Sequence, residues 1–103
     1  MPNFVLAFHG GKYPENPEEG ARIMARWETW MGDLGAALVN PGNPLGNAKT
    51  VSSAGVSDDG GSNPLTGFSI VAADDMDAAL AMAGGCPHLE FGGTIEVAEA
   101  MRM

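Results

Sequence analysis

Chemistry in this chain is best placed at a histidine that ends an apolar run, where Asn3-Phe-Val-Leu-Ala-Phe-His9 leads straight into Gly10-Gly11. An imidazole gains or loses a proton near neutral pH, and a neighbouring carboxylate fixes its orientation, which is the combination general acid–base work needs. Glu96 is the second unusual residue, a carboxylate set between Ile95 and Val97. It must face solvent or a partner subunit, and if buried it requires His9, a serine or an arginine to compensate its charge. Asp59, in Asp58-Asp59-Gly60-Gly61, could bring a further acid over the same place, although Asp-Asp-Gly-Gly is also ordinary turn chemistry.

Other reactive types are sparse. Cys86-Pro87-His88 puts a thiol and an imidazole two residues apart, a spacing that rarely lets side chains converge, and Cys86 has no second thiol for a redox pair. Two histidines and one cysteine without ligand spacing argue against a metal site. Gly10-Gly11-Lys12 lacks the spacing of a phosphate loop, and the stretch from Pro14 to Pro17 separates it from the body of the next helix. No cofactor fingerprint is present, so any reaction is expected to need no cofactor.

Length and charge bound what these residues can serve. At 103 residues and 45% hydrophobic content, the chain suits one domain spanning residues 1 to 103 with one core. Thirteen acidic residues oppose five scattered basic ones for a net charge of -8, which makes nucleic acid a poor partner. No apolar run approaches the ~18 residues of a membrane span. With no signal-peptide pattern and a lone cysteine, a cytoplasmic protein is expected.

The elements that must position His9 and Glu96 are readable. Residues 3 to 9 form a strand. Asn16-Pro17-Glu18-Glu19 is a helix start with Asn16 as N-cap, Pro17 in the first turn and Glu19 three residues beyond the cap. Met24, Trp27, Met31 and Leu34, widened by Ile23 and Trp30, form its apolar stripe, ended by Gly35. Trp27 reads as a core residue, or as one wall of a pocket. Residues 36 to 39 make a short strand, and 41 to 66 an elaborated loop or hairpin. Residues 67 to 73 form a buried strand. A helix capped by Asp74 or Asp75 follows, with Met76, Ala79, Leu80 and Ala83 as its apolar side, and the last strand begins at Gly93.

The order β-α-β-(loop)-β-α-β predicts an α+β, ferredoxin-like βαββαβ domain with an antiparallel sheet. Side-chain alternation then sorts the faces. Phe4, Leu6 and Phe8 are expected to share the helix-covered face with Phe68, Ile70, Ile95 and Val97. Val5, Ala7, His9, Ser69, Val71, Glu96 and Ala98 are expected on the open face. His9, Ser69 and Glu96 would meet at one end of that face, in a pocket walled by Tyr13 of the 10–15 loop and Asn43 of the long segment. A bare, partly apolar sheet face favours a homodimer packed sheet to sheet.

The chain resembles the YCII-related proteins, grouped with the DGPF domain. The resemblance rests on the apolar first strand, Arg26-Trp27-Glu28-Thr29-Trp30, Gly42-Asn-Pro-Leu45, Asn63-Pro64-Leu65-Thr66-Gly67-Phe68, Asp75-Met-Asp-Ala-Ala79, the Cys-Pro turn and Gly92-Gly93-Thr94-Ile95-Glu96-Val97. It implies a dimeric α/β-barrel assembly and a His/Asp pair in a cleft. Two features depart from the family: Asn63-Pro64-Leu65 stands where many relatives have Asp-Gly-Pro-Phe, and the first helix has no histidine. The acid–base histidine is then His9 or, second to it, His88.

Three functions remain open. One is a cofactor-independent lyase or isomerase using His9 with Glu96 or Asp59, and with Ser69, Tyr13, Trp27 and Asn43 around the ligand. Another is a non-catalytic dimeric ligand-binding or accessory module. In the third, the polar cluster only fixes the register of a dimer.

Overall fold

The computed structural model describes residues 1–59, 61 and 63–102; Gly60 of the Asp-Asp-Gly-Gly turn lies outside them. Strand β1 (Asn3–Gly10) leads to helix α1 (Pro17–Leu34), a 3-10 turn (Gly35–Ala37) and the short β2 (Leu38–Asn40). Two three-residue strands, β3 (Thr50–Ser52) and β4 (Gly55–Ser57), pair into a separate hairpin inside the long segment. Then come β5 (Leu65–Ala72), α2 (Met76–Gly84), a 3-10 turn (Pro87–Phe91) and β6 (Gly93–Ala100). The main sheet is antiparallel in the order β2-β5-β1-β6, an α+β arrangement compatible with a ferredoxin-like fold.

Both helices start where the sequence supplies a cap. Asn16 Oδ1 accepts from the Glu19 N–H at 2.8 Å, and Asp75 Oδ1 accepts from the Ala78 N–H at 2.9 Å, each satisfying one orphan donor of a first turn. Trp30 ties the helices together. Its ring is buried, and its Nε1–H donates at 3.0 Å to the carbonyl of Met82 in the last turn of α2, a group that also accepts from the Gly85 N–H at 3.3 Å. On α2 the buried side chains are Ala79 and Ala83, with Ala78 and Met82 packed partly against the core, whereas Met76 and Leu80 are exposed. The apolar side expected from Met76 and Leu80 is thus rotated: small alanines let the helix approach the sheet.

The core is built from Phe4, Leu6, Phe8, Trp30, Val71 and the α2 alanines, beneath the helices. Ile95 and Val97 join it as expected, but β5 has the opposite parity from the sequence reading. Leu6 pairs with Ser69 and Phe4 with Val71, so Ser69 and Val71 face the helices, while Phe68 and Ile70 pair with Ala7 and Val5 and share the open face. Close packing explains the inversion, because a Cβ on Gly67 would lie 3.3 Å from the Phe8 ring and the buried side of β5 must stay small there. Ser69 meets its hydrogen-bonding need on that side by donating to the Pro41 carbonyl at 2.8 Å.

The segment after β2 is pinned along the same edge. Leu45 N–H donates to the Thr66 carbonyl at 3.1 Å and Phe68 N–H to the Asn43 carbonyl at 3.4 Å. Gly42 is required by this approach: it has φ of 71°, and a Cβ there would sit 1.7 Å from the Phe68 carbonyl oxygen.

Candidate functional site

His9 and Glu96 are brought together. Both project on the open side of the sheet, Glu96 opposite Ala7 and His9 two residues further along β1. His9 Nε2 lies 3.1 Å from Glu96 Oε1, and His9 Nδ1 lies 2.8 Å from the Asn63 carbonyl. The chain leading into β5 covers the ring, leaving His9 8% exposed although no helix lies over that face, while the Glu96 side chain stays 71% exposed. A carbonyl and a carboxylate both accept, so the ring pairs with both only when both nitrogens carry hydrogen. His9 is therefore held at both ends, with no nitrogen free for a substrate.

The other residues expected beside this pair are elsewhere. Ser69 is on the covered face. Asp59 makes no contact with His9 or Glu96 among the described hydrogen bonds and ion pairs; its carboxylate accepts from Gly61 N–H at 3.2 Å and its carbonyl from Thr50 Oγ1 at 2.9 Å, which is turn chemistry. Among the described residues no group of three or more His, Cys, Asp or Glu could hold a metal ion.

A cavity of about 580 Å³ lies on the opposite side of β1, between α1, the β1–β5 strands and the 41–45 segment. Ser69, Tyr13, Trp27 and Asn43 all line it, whereas His9, Glu96 and Asp59 do not. It exists because its walls are short of side chains: Gly10, Gly11, Gly20, Gly42 and Gly67 surround a space that Phe8, Ile23, Trp27 and Met31 only partly fill. Met24 and Tyr13 stand exposed at its edge.

His88, second choice by sequence, is the histidine of this cavity. Its ring lies 5.3 Å from that of Phe8 and 6.5 Å from that of Trp27, centroid to centroid. Two glycines leave it room: a Cβ on Gly93 would lie 2.1 Å from His88 Nε2, and one on Gly11, at φ of 95°, 2.9 Å from Cε1. His88 Nε2–H donates to the His9 carbonyl at 2.9 Å. A carbonyl can only accept, so that contact assigns hydrogen to Nε2 and leaves Nδ1 without a partner among the described hydrogen bonds. The sequence signal was the pair of glycines around positions 11 and 93, legible only once strand pairing is known.

Cys86 is buried beside this turn, and burial pushes its thiol up to about 11, against a lowering by hydrogen bonding to the His88 backbone. The thiol is a packing group.

No protein-family profile matches the chain, and a comparison with curated proteins found no match. Among the described residues no helix is long and apolar enough to cross a membrane.

Proposed function

We propose that this protein binds a small, largely apolar molecule in the cavity between α1 and the sheet. One observation carries the reading: the four side chains expected around a ligand, Ser69, Tyr13, Trp27 and Asn43, line one cavity of about 580 Å³, a size that small-molecule sites commonly have. Aromatic and methionine walls supply contact area, and a few polar groups supply orientation. A fragment screen read by tryptophan fluorescence tests it. Hits must weaken in Trp27→Ala and persist in Glu96→Gln; hits insensitive to Trp27→Ala would remove the cavity as the site.

A second reading, a cofactor-independent lyase or isomerase, is favoured by His88. An imidazole with one nitrogen fixed on a carbonyl and the other unengaged suits proton transfer to or from a bound molecule. His88→Gln should then abolish turnover of a bound fragment. Equal turnover in the variant would leave only the binding function.

The resemblance to YCII-related proteins agrees with this element order and sheet order, and we include membership of that family in the proposal. We also propose a homodimer through the open sheet face, where Val5, Ala7, Phe68, Ile70 and Ala72 are only partly buried. In that assembly the His9–Glu96 pair sets the register of the two sheets. A cytoplasmic location fits the reduced, buried thiol of Cys86.

A further inference from the structure

The walls of the α1 cavity have an uneven charge. None of the chain's thirteen acidic residues lines it, yet Lys12 does, in a protein with a net charge of -8. Lys12 is the one lysine or arginine among the lining residues, and it has no carboxylate partner among the described ion pairs, which join His9 to Glu96, Arg26 to Glu90 and Lys49 to Asp58. Lys12 and His88 belong to the same end of the space: Lys12 follows Gly11, against which the His88 ring packs, and Lys12 N–H donates at 2.9 Å to the carbonyl of Phe91 in the His88 turn. Lys12 and His88 thus line the same end of an apolar, aromatic chamber.

Resting on the binding function above, we infer that the ligand is an apolar, ring-bearing carboxylic acid, its ring among Phe8, Trp27 and Met31 and its carboxyl at Lys12 and His88. The ammonium donates to the carboxylate. His88 Nδ1 handles the acid's single proton: the carboxylic O–H donates to Nδ1, or, with that proton transferred, Nδ1–H donates to the carboxylate. Nothing else enters the exchange. The overall negative charge of the protein repels anions, so any preference for an acid must arise within the cavity.

Calorimetric titration of the full-length chain with 2-naphthoate, its neutral analogue 2-naphthylmethanol and the cationic 2-naphthylmethylamine separates the outcomes. The inference expects 2-naphthoate to bind about tenfold or more tightly than the alcohol, with the amine weakest, as a charge-assisted hydrogen bond provides. Lys12→Glu should remove the advantage of 2-naphthoate and leave the alcohol's affinity within about twofold. If the alcohol or the amine matches 2-naphthoate, the acid specificity is wrong while the apolar cavity survives as the binding site. If none of the three binds, the binding function itself fails and the inference falls with it.

Discussion

His9 and His88 illustrate how a hydrogen-bond partner decides what a histidine can do. His9 is enclosed by two acceptors, the Asn63 carbonyl and Glu96, whereas His88 spends one nitrogen on the His9 carbonyl and keeps the other. The His9–Glu96 contact has one well-exposed member, so Glu96→Gln should change unfolding free energy by less than about 1 kcal/mol in urea denaturation. Gly93→Ala is expected to be far more consequential for function, because its Cβ would occupy the place of His88 Nε2. Binding of a cavity ligand, followed by tryptophan fluorescence, should be lost in that variant. Cys86 gives a pH prediction. Its folded-state value of about 11 lies above the ordinary 9.0, so its contribution to stability is complete below pH 9 and is lost as pH rises towards 11. Iodoacetamide should accordingly label Cys86 much faster in urea than in the native protein at pH 8.

Helix α1 does two jobs along its length. Trp30, in its C-terminal half, is buried and bonded to the end of α2, while Gly20, Ile23, Met24, Trp27 and Met31 along another side of the helix line the cavity. Trp30→Phe keeps most of the packing but removes one of the two hydrogen bonds to the Met82 carbonyl, at a cost of about 1 kcal/mol, whereas Trp30→Ala should cost about 3 to 5 kcal/mol. Thermal and urea unfolding would resolve the two. The cap Asn16, the choice of second cap narrowed to Asp74 or Asp75, and the order of elements were legible in the sequence, because they rest on local chemistry. The parity of β5 was not. Both of its alternating sets contain apolar residues, and the choice between Phe68-Ile70 and Ser69-Val71 depends on the room that Phe8 leaves at Gly67, a long-range fact. The candidate site divided along the same line: the facing of His9 and Glu96 followed from alternation in β1 and β6, while the cavity arises from glycines distant in sequence.

The molecule as a whole is a slab of 43 × 43 × 18 Å, a sheet with one layer of helices. Its radius of gyration, 14.8 Å, exceeds the ~13 Å of a compact chain of this length, as expected for so flat a shape. The uncovered side of that slab carries Phe68 and Ile70 beside Val5 and Ala7. A second copy would cover them, so Ile70→Lys should convert a sedimenting dimer to monomer without unfolding it; a monomeric wild type would remove that assembly. The helix-covered side holds the cavity, which makes the location of ligand the decisive question. Methyl NMR of the methionines during addition of 2-naphthoate answers it, since Met24 and Met31 line the cavity and Met76 and Met101 do not. Saturable shifts confined to Met24 and Met31 are the predicted result. Saturable shifts elsewhere, with Met24 and Met31 unmoved, would contradict the account.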